Sequence, residues 1–253
     1  MRRSLGIAVL VVVLGTAALS VGRSAAEAPP ATNTIFIPHV LGDHCGDFFD
    51  DFSDVTGWFE GQRDGLLAEL RDGEYRLSVT QPGLVWLVGA PDCARVNNQM
   101  AVTARWAGAP GNFYGLLFGE DDRAGRAYLL AVNSDARAWL LLRLEDDSLS
   151  VVSGPTHDDA IAEGRARNRL AITRGRGRIL LTINDKTVGQ LPDPDAATPF
   201  ITGLVAASYT DRAPADARFD DFVHRGQAVG RAGEAASARA GSAWAEPVSA
   251  TLP

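Results

Sequence analysis

The sequence has 253 residues, a formal net charge of −7 and an isoelectric point of about 5.1. This acidic balance argues against nucleic acid as a partner, because phosphate binding needs a basic face, and equally against an anionic membrane surface. We also expect no nucleotide cofactor. Without an export segment and a polar tail, roughly 180 residues remain, which is enough for one domain with a sizeable core.

Residues 1–26 are predicted to be a signal peptide. Arg2-Arg3 supplies a positive start, Leu5 to Val21 is apolar or small throughout, and Ser24-Ala25-Ala26 offers small residues for cleavage before Glu27. Cleavage would remove three arginines and change the formal charge from −7 to −10. We therefore expect a secreted, extracellular protein. The alternative is an uncleaved segment that anchors the chain in a membrane with its domain outside.

Export would place both cysteines in an oxidising compartment. Cys45 and Cys93 are then expected to form a disulfide, because cysteines of exported proteins are normally paired. The bond would close a span of 48 positions, from 45 to 93. In the chain-entropy description, such a bond stabilises the fold by roughly 4 kcal/mol.

The composition of residues 27–253 divides this part of the chain into three segments. Residues 27–46 are a lead-in linker whose short apolar stretch ends at Pro38, which confines the stretch to a sheet edge or to no strand. Residues 47–225 contain about a dozen short strands at roughly 8–12-residue spacing, which is typical of an all-β sandwich. Residues 226–253 are rich in Ala, Gly, Ser, Arg and Glu without an apolar period, and this predicts a disordered tail.

Individual runs indicate how the strands are arranged. Asp72-Gly73 separates two of them and is a strong hairpin signal. The run from Tyr75 to Val79 alternates apolar and polar residues, so one face of that strand is buried. Arg126 to Val132 and Ala136 to Leu144 are continuously apolar, as expected for central strands buried on both faces. With residues 155–165 as the only helix candidate, the sequence predicts an all-β sandwich.

Two copies of a Phe-Asp-Asp-Phe motif, at positions 49–52 and 219–222, lie near the start and end of the predicted sandwich. We interpret them as parts of the first and last strands, which lie side by side and close the sandwich. Phenylalanines of the two copies are then expected to point into the core together, since side chains alternate along a strand.

Several short motifs follow one another along residues 47–225: Asp50–Asp54 with Gly57-Trp58, Asp72–Arg76, Phe113–Phe118, Asn168–Leu170, Ile179–Asn184, Gly203-Leu204 and Phe219–Phe222. Their order resembles bacterial secreted concanavalin A-like jelly rolls of the laminin G-like and 3-keto-disaccharide-hydrolase type. The resemblance implies a two-sheet antiparallel jelly-roll sandwich with the concanavalin A-like lectin/glucanase fold. This fold hosts lectins, glycosidases, adhesion modules and structural domains alike. One departure is the turn Asn184-Asp185, where the group usually has Asn-Gly.

A catalytic site is not evident in the sequence. Glycosidases need two carboxylates roughly 5–9 Å apart, and those of this fold usually carry them as Glu-x-Asp-x-x-Glu on one strand, a motif that is missing here. Glu120 to Asp122 lie in a predicted turn. His157 and His224 are not accompanied by the Gly-x-Ser-x-Gly motif of serine hydrolases. We therefore predict no catalytic residues and no enzyme activity.

Calcium is the candidate metal, and no other cofactor is expected. Sandwiches of this kind often hold a hard cation where the first and last strands meet, with carboxylate and backbone oxygens as ligands. Asp50, Asp51, Asp220 and Asp221 would supply the carboxylates. The alternative is that one Asp of each pair caps a strand end while the other is solvated.

Aromatic and polar side chains on the predicted central strands are candidates for glycan binding, since sugars bind to aromatic faces flanked by a few polar groups. The alternative is that the aromatic residues belong to the core, as the phase of Trp106 with Met100 and Val102 indicates. The candidates are Arg105, Tyr114, Tyr128, Asn133, Arg137 and Trp139.

The sequence therefore predicts a secreted, non-catalytic β-sandwich module that binds a glycan or another cell-surface polymer on its concave face. The alternatives are a glycoside hydrolase of the 3-keto-disaccharide-hydrolase type and a purely structural or adhesive domain. Carboxylates from separate strands that converge in one place would favour the hydrolase.

Overall fold

The computed structural model describes residues 34–36, 46–54, 57–92, 94–120, 126–145, 148–193, 197–208, 214–228 and 245–247. All of them belong to one compact unit, residues 31–253. Within these ranges the secondary structure is entirely β, so the helix predicted for 155–165 is wrong: a strand runs to His157 and turns follow it. In the same ranges, no helix has the length and apolar character of a membrane span.

The described residues form seventeen strands. The first nine are β1 Thr34–Phe36, β2 Phe48–Asp50, β3 Gly61–Arg63, β4 Leu66–Arg71, β5 Glu74–Val79, β6 Val85–Gly89, β7 Arg95–Trp106, β8 Phe113–Glu120 and β9 Arg126–Asn133. The others are β10 Ala138–Glu145, β11 Ser148–His157, β12 Asn168–Gly175, β13 Arg178–Ile183, β14 Lys186–Pro192, β15 Phe200–Ala207, β16 Ala215–Ala228 and β17 Ala245–Pro247.

The strands form a two-sheet antiparallel jelly-roll sandwich, which confirms the predicted fold class. Sheet one has the order β11-β10-β9-β8-β15-β6, and sheet two has the order β14-β13-β12-β7-β16-β5-β4-β3. The two sheets join at one edge, where Phe200 of β15 pairs with Arg95 of β7. β1 and β17 pair with each other in a separate two-stranded sheet.

The main core lies between the two sheets, because alternate residues of each strand are apolar. On β5, Tyr75 and Leu77 are fully buried while Arg76 between them points outward. On β7, Met100 and Trp106 lie in the same core, which confirms that Trp106 is in phase with its apolar neighbours. This alternation leaves the opposite face of sheet two to polar residues.

Sheet one is apolar on its outer face as well. Leu117 of β8, Leu129 of β9 and Leu142 of β10 belong to a second apolar cluster, separate from the main core. The strands β9 and β10 are therefore buried on both faces and lie inside the sheet, between β8 and β11. This confirms the interpretation of their continuous apolar runs.

The first and last sandwich strands pair as predicted: β2 runs antiparallel to β16, with Asp50 opposite Phe222. Phe52 is buried and its ring centroid lies 5.5 Å from that of Tyr75, whereas Phe49 is 59% exposed. Only one phenylalanine of the first copy therefore reaches the core.

Both phenylalanines of the second copy are buried. Phe219 and Phe222 are three residues apart, a spacing that would place them on opposite faces of a regular strand. A register shift between Asp220 and Val223, with Asp221 at φ 50°, inserts an extra residue in β16. This bulge returns Phe222 to the core side.

The two predicted hairpin turns are present. Asp72-Gly73 joins β4 to β5 and Asn184-Asp185 joins β13 to β14, and all four residues have positive φ. Two-residue hairpin loops favour this conformation because its twist matches that of the strands. Asp185 adopts φ 65° in the place where the related turns have Gly.

Cys45, Cys93, the signal segment and most of the tail lie outside the described residues, so the disulfide and the predicted cleavage stay predictions. Within the predicted tail, β16 continues as far as Ala228 and β17 pairs with β1.

Candidate active site

The outer face of sheet two carries a dense group of charges. Three arginines lie side by side on three neighbouring strands: Arg76 on β5, Arg218 on β16 and Arg105 on β7. Like charges directly opposite each other destabilise a sheet, so this row needs carboxylates around it. We call the group the charged face; its members are Glu69, Glu74, Arg76, Arg105, Arg167, Asp216, Arg218 and Asp220.

Glu74, the first residue of β5 after the hairpin turn, is the centre of the charged face. Its two oxygens accept hydrogen bonds from Arg105, Nε to Oε1 at 2.8 Å and Nη2 to Oε2 at 2.5 Å. The residue is only 5% exposed. The hydrogen bonds from Arg105 hold the pKa of Glu74 below its ordinary value, although burial opposes them. Glu74 is therefore an ionised carboxylate at neutral pH.

Arg167 connects Glu74 to a carboxylate of another strand. Its Nη2 donates to Glu74 Oε1 at 3.1 Å, and its Nη1 donates to Asp220 Oδ2 at 2.9 Å. Because both carboxylates contact one guanidinium, their nearest oxygens are at most roughly 8 Å apart, below the upper limit of about 9.5 Å for glycosidase carboxyl pairs. Carboxylates from β5 and β16 thus converge on this face.

A second ion-pair group supports the row of arginines. Arg76 donates to Asp216 Oδ2 from Nη2 at 2.6 Å and to Glu69 Oε1 from Nη1 at 2.9 Å. In contrast, Asp216 Oδ1 and Arg218 Nε are buried without a hydrogen-bond partner, 3.7 Å from each other. The carboxylates of Asp216 and Glu69 therefore offset the like charges of the arginine row.

Asn168 fixes the loop that carries Arg167. Its Nδ2 donates to the hydroxyl of Tyr114 at 2.9 Å and to the carbonyl of Ala162 at 3.0 Å. Its Oδ1 accepts from the Ala162 amide and from Asn184 Nδ2, both at 2.8 Å. The backbone of Arg167 is therefore held beside β12, while its side chain is 54% exposed.

Of the six predicted glycan-binding residues, only Arg105 lies on the charged face. Tyr114 and Trp139 are buried in the main core, and the ring of Tyr128 stacks on Phe118 at 5.5 Å. The aromatic rings of these three residues therefore pack against protein.

Asn133 and Arg137 lie at the turn between β9 and β10. Asn133 Oδ1 accepts from the Ala136 amide at 3.1 Å, and Arg137 Nε donates to the carbonyl of Ile161 at 3.1 Å. The six residues thus do not form one exposed group, and ligand binding by any of them stays a prediction.

The four predicted calcium ligands are engaged by protein groups. Asp50 accepts from the Phe52 amide at 2.7 Å and from Trp58 Nε1 at 2.8 Å, and the exposed Asp51 accepts from the Ser53 amide at 3.0 Å. Asp220 binds Arg167, and Asp221 Oδ2 lies 3.4 Å from the hydroxyl of Thr103. In the described part of the chain, no three His, Cys, Asp or Glu side chains are grouped for metal binding. Calcium binding stays a prediction.

His224 lies in a buried cluster at the start of β7. Its Nδ1 is 2.9 Å from Asp92 Oδ2, and its Nε2 is 3.2 Å from Asn98 Nδ2. Asp92 also pairs with Arg95 Nη2 at 2.8 Å, and all three ionisable side chains are at most 1% exposed. This arrangement secures β16 to β7 and gives a substrate no access to the imidazole.

We expect the stability of the protein to fall as the pH drops below about 6.5, the ordinary His pKa. Burial lowers the pKa of His224 in the fold, Arg95 adds to this, and Asp92 and Asp47 oppose it. Since the unfolded chain then binds the proton first, the free energy of unfolding decreases by at most about 1.4 kcal/mol per pH unit until the folded pKa is reached. Urea unfolding between pH 5 and 8 measures this slope. His224→Gln should flatten it, and an unchanged slope would contradict the assignment.

No protein-family model and no curated protein matches the chain. Among solved structures, one described as an endo-acting O-glycanase of the human gut microbiota is similar, with a TM-score of 0.50 and 11% identity over 71% of this chain and 98% of that one. A Crh5 transglycosylase in complex with NAG has a TM-score of 0.51 and 12% identity over 79% and 88%. A Bacillus licheniformis β-glucanase has 0.48 and 14% over 72% and 98%. The protein thus has the concanavalin A-like fold.

The prediction of a non-catalytic module is wrong. The O-glycanase and the transglycosylase structures named above are described as glycan-active enzymes, and this points away from a domain without activity. The prediction depended on the missing Glu-x-Asp-x-x-Glu motif, which is only one way to place two carboxylates on one face. In this protein Glu74 and Asp220 come from different strands. At these identities the likeness establishes the fold, and the activity follows as a proposal.

Of the charged face, only Arg105 and Asp220 were among the candidates from the sequence, as a glycan-binding residue and a calcium ligand, and the other six members were not predicted. The signal was the alternation of Asp216, Arg218 and Asp220 along β16, which places all three on the outward face. Arg167 had no such signal, because it lies in a loop whose path depends on the hydrogen bonds of Asn168.

Proposed function

We propose that the protein is a glycoside hydrolase or transglycosylase whose active site is the charged face, with Glu74 and Asp220 as its carboxyl pair. The observation that carries the proposal is the contact of both carboxylates with the single guanidinium of Arg167. The O-glycanase and transglycosylase structures of the same fold support a glycan as the substrate.

Each carboxyl group has a role that suits its surroundings. Glu74 is kept ionised by Arg105, so it serves as the nucleophile, or as the base that takes a proton from water. Asp220 lies across Arg167 and is more exposed, with 19% of its side chain accessible. In the proposed reaction Asp220 takes up a proton only after Arg167 has moved away, donates it to the oxygen of the leaving sugar as the glycosidic bond breaks, and is left as a carboxylate that water can protonate again. Substrate must displace the Arg167 side chain to come between them.

Substitution of either carboxylate tests the proposal. Glu74→Gln and Asp220→Asn should each lower the release of reducing ends from a panel of soluble glycans by about 10²- to 10⁴-fold, the usual contribution of a positioned acid or base. Glu145→Gln, on β10 of sheet one, is the matched control and should retain activity. Near-ultraviolet circular dichroism verifies that each variant is folded. A parent protein that is inactive on every glycan, or a fully active Glu74→Gln, would refute the proposal.

We further propose that the enzyme is exported through its N-terminal segment and carries a disulfide between Cys45 and Cys93. The even number of cysteines and the signal-like composition of residues 1–26 support both statements. An extracellular location suits an enzyme that acts on polymers too large to enter a cell.

A further inference from the structure

In the proposed active site, Arg167 occupies the place that the glycosidic bond has to take. Its guanidinium lies between the carboxylates of Glu74 and Asp220, at 3.1 and 2.9 Å. A bound glycan must therefore break both ion pairs. The movement needs only side-chain rotation, because the backbone of the preceding loop is held by Asn168 and more than half of the Arg167 side chain faces solvent.

Two other arginines of the charged face keep their hydrogen bonds to carboxylates after this displacement. Arg105 keeps both hydrogen bonds to Glu74, and Arg76 keeps its bonds to Asp216 and Glu69. Arg167 alone loses all its carboxylate partners in the described part of the chain. A neutral sugar offers it no replacement, whereas a carboxylate or sulfate group offers two oxygens in the geometry that a guanidinium binds in bidentate fashion.

We propose that the substrate is an anionic glycan and that Arg167 determines this specificity by pairing with the charged group of the sugar next to the scissile bond. The inference rests on the proposed function, since it places the substrate between Glu74 and Asp220. The shared chemistry is a planar or tetrahedral oxyanion, which either a uronic-acid carboxylate or a sulfate ester supplies.

Binding to a catalytically impaired protein tests the specificity separately from activity. Isothermal titration of the Asp220→Asn protein with polygalacturonate, carrageenan and laminarin compares a carboxylate polymer, a sulfate polymer and a neutral one. At least one anionic polymer should bind about tenfold or more tightly than laminarin, and the difference should shrink at high salt, because the ion pair is exposed. The tighter of the two anionic polymers identifies the oxyanion.

Arg167→Gln, added to Asp220→Asn, should abolish this preference while laminarin binding is unchanged or improved. Arg178→Gln is the matched control, since Arg178 is an exposed arginine at the start of β13 in the same sheet. Arg167→Lys should restore part of the preference, because it returns the charge without the bidentate geometry. In the active parent, Arg167→Gln should raise KM for the anionic polymer more than it lowers kcat.

Equal binding of laminarin and both anionic polymers, or a preference that survives Arg167→Gln, would overturn the inference. The loss of activity in Glu74→Gln would still stand in that case, so the proposed function and the proposed substrate class fail separately. Failure of all three polymers to bind also overturns the substrate class.

Discussion

Deletion of residues 47–52 should unfold the whole domain. The deletion removes β2, which pairs with β16, and it removes Phe52, which packs against Trp58 and Tyr75 at 5.4 and 5.5 Å. It also takes away the Asp50 carboxylate that accepts a hydrogen bond from Trp58 Nε1. Loss of one buried aromatic ring costs about 3–5 kcal/mol, and a typical domain has only about 5–15 kcal/mol in total.

Two point variants in the same Phe-Asp-Asp-Phe motif distinguish the stability that comes from burial of Phe52 from the stability that comes from the pairing of β2. Phe52→Ala should lower the free energy of unfolding by about 3–5 kcal/mol, because the ring is fully buried. Phe49→Ala should change it by less than about 0.5 kcal/mol, since that ring is 59% exposed. Urea unfolding followed by circular dichroism measures both. A deletion protein that melts like its parent would show that β2 contributes nothing to the fold.

Asp193→Ala should destabilise the protein by about 3–5 kcal/mol, because it removes the carboxylate that neutralises the buried guanidinium of Arg174. Arg174 donates to the Asp193 carboxylate from Nε at 2.7 Å and from Nη2 at 3.0 Å, and both side chains are at most 3% exposed. The guanidinium also lies 3.6 Å above the ring of Phe200. The pair therefore links β12 to the chain after β14 and to β15 of the other sheet.

The double variant Arg174→Met with Asp193→Leu is the informative control. It removes both charges and fills much of the same volume with apolar groups, so it should recover most of the stability lost in Asp193→Ala. Equilibrium denaturation in urea compares the three proteins. If the single and double variants lose the same stability, the cost comes from packing and not from an arginine that has lost its carboxylate.

The fold was predictable because its signals are local. Three signals each specify burial or a turn without reference to the rest of the chain. They are the alternation from Tyr75 to Val79, the Asp72-Gly73 turn and the apolar runs of β9 and β10. The bulge at Asp221 was not predictable in this way. The extra residue is tolerated only because it lets Phe219 and Phe222 both pack into a core that is formed by other strands.

The candidate site escaped prediction because it depends on register between distant strands. Glu74 on β5 and Arg105 on β7 form an ion pair across the intervening strand β16. Nothing in the sequence indicates that these two positions are neighbours. Arg167 lies in a loop with no periodic pattern, two residues after the segment 155–165 for which the sequence suggests a helix. Tyr114 and Trp139 are sugar-binding candidates because aromatic rings bind sugars, but aromatic rings also fill protein cores. Both residues lie in the main core.

The pairing of β2 with β16 also determines how the domain responds to mechanical load. The strands are antiparallel, with Phe48 opposite His224, so the chain enters and leaves at the same edge. A force that pulls these two points apart is directed along the hydrogen bonds between β2 and β16, which lie perpendicular to the strands. The three residue pairs then open one after another instead of sharing the load. Tension would peel β2 away first, with Phe52 and the rest of the core exposed behind it.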